Sequence, residues 1–161
     1  RGGQDGKLGS ITGSKDVVSA HQIKLQADLE FSEADFSDAD VLFLPGGMPG
    51  TRNLAAHEGL CGELLKADKA GKRLAAICAG PSVLGGLGIL EGRKATCYPG
   101  FEGELKGAEY TRQGVVTDGN VTTARGLGYA LDLGIELLAL LTDREHAGQI
   151  KDSIQYDQIP M

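Results

Sequence analysis

The sequence predicts an α/β layered domain with a mostly parallel sheet, on three observations. Two short apolar runs, Val41–Leu44 and Arg73–Ile77, read as strands buried on both faces. Each is followed by a glycine-marked turn and then by a stretch of helical spacing, the strand–helix alternation of a layered fold. Late in the chain, Asp118-Gly119 lies between two β-branched runs, a strong hairpin signal.

The elements follow in order. HQIKLQADLEF alternates apolar residues at Ile23, Leu25, Ala27, Leu29 and Phe31, the period of a half-buried strand. The run Val41–Leu44 closes on Pro45, Gly46 and Gly47. From Thr51 to Ala70, Leu54, Cys61, Leu64 and Leu65 recur at helical spacing; Gly59 and Gly62 are expected to split this stretch and Gly71 to close it. After the strand Arg73–Ile77, a helix opens at Pro81, whose missing N–H suits the first helical position. KATCYP, Lys94 to Pro99, is a further candidate strand. GYALDLGIELLALL, Gly128 to Leu141, is apolar around most of its circumference and predicts a largely buried helix. Thr142-Asp-Arg-Glu145 reads as a capping box that opens a last helix through about Ser153. No repeat, linker or low-complexity tract interrupts residues 1–161, so one domain is expected.

Bulk properties narrow the function classes. A net charge of -6 argues against nucleic acid or an anionic membrane as the main partner. No apolar run approaches the roughly 20 residues that span a bilayer. Cys61, Cys78 and Cys97 are odd in number, far apart and in no metal-ligand spacing, which points to a reduced, cytoplasmic compartment and to no metal or other cofactor. Arg125-Gly126-Leu127-Gly128 lacks the full pattern of a dinucleotide fingerprint and is not read as one.

Cys78 stands at a corner of the local code. Before it runs RLAAI; after it come Ala79, Gly80 and Pro81. In an open α/β sheet, ligands bind outside the carboxyl ends of the strands, and Cys78 sits at such an end. The following helix start offers free N–H groups and partial positive charge beside the sulfur, a setting that favours thiolate, the reactive form. Gly80 permits the tight turn. An arbitrary free cysteine simply packs in the core; here strand, turn, Gly-Pro and helix coincide, and a nucleophile elbow with cysteine in place of serine is the better reading. Cys61 and Cys97 lack this context. A second strand end lies at Leu44-Pro45-Gly46-Gly47, where the N–H of Gly47, paired with that of Ala79, would form an oxyanion hole. None of His21, His57 and His146 stands out as a base for Cys78.

AICAGP, with LPGGMPGTRNL upstream and ARGLGYALDL downstream, in that order and spacing, resembles the DJ-one/ThiJ/PfpI family, in the branch of the parkinsonism-associated protein and its bacterial ThiJ-like relatives. The likeness runs from about Ile11 to the late helix. It implies a flavodoxin-like three-layer sandwich, a homodimer, and an elbow cysteine, Cys78, easily oxidised to the sulfinate. It further implies that the amides of Gly47 and Ala79 face the sulfur, with Gly46, Tyr98, Pro99, Arg125 and Gly126 around the pocket. The activities it implies are cofactor-independent glyoxalase or deglycase chemistry on a small carbonyl, or a redox-sensor and chaperone role through an oxidant; intracellular proteolysis is a third. Two departures matter. Family members often place a histidine where TCYPGF has Tyr98, and tyrosine donates a hydrogen bond but is a poor base at neutral pH, which argues against protease-type Cys-His catalysis. The family also opens with a strand and helix carrying a glutamate that hydrogen-bonds the cysteine. RGGQDG matches the end of that helix, so one unit of roughly 30 residues is expected to be absent here, leaving unpaired backbone and exposed apolar faces on its neighbours.

Overall fold

The computed structural model describes residues 2–157. The chain opens with four small strands: β1 (Gly9–Ser10), β2 (Asp16–Val18), β3 (Lys24–Gln26) and β4 (Leu29–Glu30). β1 and β4 pair in parallel, and β2 and β3 form an antiparallel hairpin. The alternating stretch expected as one strand is therefore two, broken at Ala27 and Asp28. There the chain turns to other partners: the Ala27 N–H donates to the Lys15 carbonyl, and the Asp28 carboxylate accepts the Leu8 N–H at 2.7 Å. The alternation buries its apolar phase only from Ala27 onward; Ile23 and Leu25 are exposed on the hairpin.

Then follow β5 (Val41–Leu44), α1 (Gly50–Ala56), α2 (Glu58–Lys69), β6 (Arg73–Ile77), α3 (Pro81–Gly86), β7 (Lys94–Ala95), β8 (Glu109–Tyr110), β9 (Val115–Asp118), β10 (Val121–Ala124), α4 (Ala130–Leu141) and α5 (Arg144–Ser153). The central sheet has the order β5-β6-β10-β9; its first three strands are parallel, and β9 is the antiparallel arm of the predicted hairpin. Alternation along the strands sends Leu44, Leu74, Ala76 and Val121 to one face, where they form the core with Leu60 and Leu64 of α2 and Val83 and Leu84 of α3. α4 lies against β10 and packs on α5, giving the second helical layer. The result is a mixed α/β, flavodoxin-like sandwich. β5 is an edge strand, and its Phe43 is 47% exposed.

Four local expectations are corrected. The break between α1 and α2 falls at His57, while Gly59 and Gly62 lie inside α2. His57 has extended backbone, and its Nδ1 accepts the Leu60 N–H at 3.0 Å, so a capping side chain starts the helix. A helical glycine costs only about 1 kcal/mol and does not by itself end a helix. α4 buries only Leu133 and Leu138 fully, and Leu131 is 51% exposed, because β10 and α5 cover one side of it. α5 is capped by Asp143, whose carboxylate accepts the His146 N–H at 2.7 Å; Thr142 turns its hydroxyl back to the Leu138 carbonyl. In KATCYP only Lys94 and Ala95 pair as a strand, with β8. The Thr96 N–H leaves the ladder for the Thr123 hydroxyl, and the Tyr98 N–H for the Cys78 carbonyl.

Candidate active site

Because β5, β6 and β10 are parallel neighbours, their carboxyl ends present three loops at one edge: Pro45-Gly46-Gly47, Cys78-Ala79-Gly80 and Arg125-Gly126. Cys78 directly follows β6, and its φ of 64° lies in the left-handed region. That conformation costs a residue with a Cβ about 1–2 kcal/mol and persists only where the surroundings over-determine it. Here the Cys78 N–H donates to the Ala124 carbonyl at 2.9 Å, its carbonyl accepts the Tyr98 N–H at 2.8 Å, and the Gly80 N–H donates to the Ile77 carbonyl at 2.9 Å. The chain thus makes a sharp strand-to-helix turn with the cysteine at its apex, and Pro81 opens α3, a helix of 6 residues.

Space dictates two glycines. A Cβ on Gly46 would lie 2.6 Å from the Cβ of Cys78 and 3.2 Å from the Ala79 nitrogen; one on Gly80 would lie 2.9 Å from the Leu44 carbonyl oxygen. Gly47 has a φ of 92°, which suits glycine alone. The Thr51 N–H and hydroxyl both donate to the Gly47 carbonyl at 2.9 Å, and the Ser82 hydroxyl donates to the Ala79 carbonyl at 2.7 Å. These bonds fix both residues from their carbonyl side. Among the described residues, the N–H groups of Gly47 and Ala79 meet no protein acceptor. Thr51 and Ser82 escaped the sequence reading, although a hydroxyl four residues after Gly47 and another three after Ala79 are spacings at which such side chains bond back to the main chain.

On the other side of Cys78, the Tyr98 ring rests against Gly126, its Cδ2 3.5 Å from the position a Cβ would take there; Gly126 is buried and extended, and Tyr98 is 51% exposed. The Arg125 N–H donates to the Gly114 carbonyl at 2.8 Å, and Pro99 is exposed beside Tyr98. The structure therefore brings Gly46 and the Tyr98 main chain against Cys78, with Ala79 and Gly47 next along their loops, Gly126 beside the Tyr98 ring, and Arg125 and Pro99 adjoining in sequence. Cys78 is half-buried and lines neither the cavity of about 330 Å³ among β9, α4 and α5 nor that of about 240 Å³ among α1, α2 and α3.

The other thiols differ. Cys97 is fully buried; desolvation first, then the Glu102 carboxylate and Cys78, push it up to about 11. Cys61 lies half-buried on α2 with its Sγ 3.4 Å from the Ala55 carbonyl oxygen. The histidines serve elsewhere: His57 caps α2 and meets the Phe31 ring edge-on at 4.5 Å, the His146 Nε2 lies 3.1 Å from the Gly2 carbonyl oxygen, and His21 sits in the turn of the β2–β3 hairpin. Among the described residues no group of His, Cys, Asp and Glu is placed to hold a metal ion, and no helix is long and apolar enough to cross a membrane.

Known proteins resemble this chain in sequence and in fold. Protein DJ-1 homolog B of Arabidopsis thaliana is 36% identical over 152 residues, 93% of this chain but 35% of the plant protein; for homolog A of the same plant the share is 39%. The chain thus spans well under half the length of these two relatives. A deglycase of Pyrococcus horikoshii is 35% identical over 119 residues, 73% of this chain and 68% of that protein. The solved structure of oxidised Toxoplasma gondii DJ-1 matches with a TM-score of 0.92 at 28% identity, covering 97% of this chain and 85% of that one. The model of the DJ-1/PfpI family matches residues 5–140, and with the elbow cysteine and the sheet order in place, this chain belongs to that family.

Proposed function

We propose that this protein handles reactive carbonyls through Cys78, with glyoxalase- or deglycase-like chemistry and no cofactor. The observation that carries the reading is the elbow itself: a cysteine at a φ of 64°, packed against Gly46 and followed by Ala79, with the N–H groups of Gly47 and Ala79 unspent. In the first step the Cys78 thiolate adds to the aldehyde carbon of a small dicarbonyl such as methylglyoxal. The C–S bond forms as the carbonyl π pair moves onto oxygen, and those two N–H groups steady the oxyanion until it takes a proton. The proton on the sulfur-bearing carbon then moves to the neighbouring carbon through an enediol, leaving a thioester of the 2-hydroxy acid. Water attacks it, the C–S bond breaks and the Cys78 thiol is returned. Dicarbonyl plus water thus gives a 2-hydroxy acid, with one carbon oxidised, its neighbour reduced and no outside oxidant needed. The relative named a deglycase supports this class of substrate. We also take the protein to be a cytoplasmic homodimer of a one-domain chain, with exposed Leu127 and Leu131 as apolar surface for a second copy.

Lactate formation from methylglyoxal by the full-length protein and by its Cys78→Ala variant tests the proposal. The variant is expected to lose at least about a hundredfold in kcat/KM, as nucleophile removal does elsewhere; absence of lactate from the parent protein would remove the reading.

A second reading is favoured by the likeness to a DJ-1 protein solved in its oxidised form. In it Cys78 is a redox sensor or chaperone switch: the thiolate attacks a peroxide oxygen, the O–O bond breaks, and a second peroxide carries the sulfenic acid to the sulfinate. Peptide mass spectrometry after mild peroxide checks it, and Cys78 remaining reduced while Cys61 or Cys97 oxidises would count against it. The protease reading has no support in the placement of the three histidines.

A further inference from the structure

The two flanks of Cys78 are chemically unlike. Strand order puts β5 on one side of β6 and β10 on the other. The β5 side is bare main chain, Gly46 and Gly47. The β10 side carries the Tyr98 phenol, held by the bond from its N–H to the Cys78 carbonyl and by the rest of its ring on buried Gly126. About half of the residue is exposed, so a flat apolar surface is left open on the residue whose main chain is bonded to that of Cys78. A carbonyl carbon bonded to Sγ with its oxygen turned to the N–H groups of Gly47 and Ala79 must send its remaining substituent away from β5. On that side the exposed aromatic surface is the Tyr98 ring.

We propose that Tyr98 sets substrate preference, turning the site toward α-oxoaldehydes that carry an aryl or similarly flat apolar substituent over those that carry methyl. This rests on the oxyanion placement proposed above. One aromatic contact of this kind corresponds to roughly a two- to tenfold preference.

The test uses two probes that alkylate a thiol by the same step, phenacyl bromide and bromoacetone; in both, sulfur bonds the CH2 carbon as the C–Br bond breaks and bromide leaves. Rates at Cys78 are read by peptide mass spectrometry for the protein, Tyr98→Phe and Tyr98→Ala, and each aryl-to-methyl ratio is divided by that of glutathione. The expected result is a corrected ratio roughly two- to tenfold above one for the protein and for Tyr98→Phe, falling to about one in Tyr98→Ala. A ratio of one in the parent, or one that survives in Tyr98→Ala, overturns the proposal. A ratio of one counts only where Cys97, fully buried in the folded protein, stays unalkylated in Tyr98→Ala, since an unfolded chain would also react like glutathione. Turnover of phenylglyoxal and methylglyoxal is measured alongside: a Tyr98-dependent ratio without turnover sinks the enzyme reading and leaves the binding preference standing, whereas turnover with an indifferent ratio sinks the preference alone.

Discussion

Three described non-glycine residues have positive φ: Gln22, Cys78 and Gln155. Gln22 lies in the β2–β3 turn and Gln155 just past the end of α5, both exposed, where a left-handed residue merely reverses the chain. Cys78 is left-handed at the end of a central strand, so its conformation is imposed by what surrounds it. Gly46 is the tightest of those constraints. Gly46→Ala is expected to drive the β5 loop off the elbow, lowering stability by about 1–3 kcal/mol in urea unfolding and slowing alkylation of Cys78 by iodoacetamide. Gly50→Ala, at the start of α1 with nothing within 4 Å of the added Cβ, is the control: it should leave alkylation unchanged and hold or slightly raise stability. If the two variants behave alike, the close approach of Gly46 to Cys78 is not a constraint. The elbow was legible in the sequence because glycine and proline punctuate it at short range. The Ala124 and Tyr98 contacts that hold Cys78 were not, since they join residues 46 and 20 positions away through main-chain atoms that any side chain carries.

Among elements, the two apolar parallel strands of the central sheet were placed correctly, whereas the alternating stretch, KATCYP and the helix ends were not. Val41–Leu44 and Arg73–Ile77 match β5 and β6 residue for residue, but only β6 is buried on both faces as an unbroken apolar run predicts; β5 lies at the sheet edge, and the expectation of burial fails at its Phe43, which is exposed. Helix starts depend on which polar side chain reaches the free N–H groups, and neighbouring candidates compete. At α5 both Thr142 and Asp143 are adequate caps by type, and the structure selects Asp143 because Thr142 is still bonded to the preceding helix. Asp143→Ala should therefore cost about 1 kcal/mol in chemical denaturation and Thr142→Ala distinctly less; the reverse order would restore the capping box read from the sequence. The His57 break has the same logic, with an imidazole doing what serine or aspartate more often does. The exposed side of α4 was illegible for a different reason: apolar composition states what a helix is able to bury, and only the packing partners decide what it does bury.

At the scale of the whole molecule, the sheet carries one half-buried thiol, Cys78, at its carboxyl edge and another, Cys97, inside its core. Cys97 belongs to the apolar cluster that α2 and α3 close over one face of the sheet, and it is entirely inaccessible. Burial favours its neutral form, with the Glu102 carboxylate and Cys78 adding to the effect, so the folded chain releases this proton near 11 where an ordinary thiol releases it at 9.0. Below 9.0 both folded and unfolded chains hold the proton, and the contribution to stability is fully present. Between the two values the unfolded chain has lost a proton that the folded chain keeps, so each rise in pH favours unfolding, and above about 11 the contribution is gone. Urea midpoints for the protein and Cys97→Ala, taken at about pH 8 and about pH 11, isolate this group from the lysines and tyrosines that titrate in the same range, since those are common to both proteins. The parent should lose more stability across the interval than the variant does. Equal losses would mean that Cys97 titrates in the folded protein as it does in the unfolded chain, and that the core around it admits water.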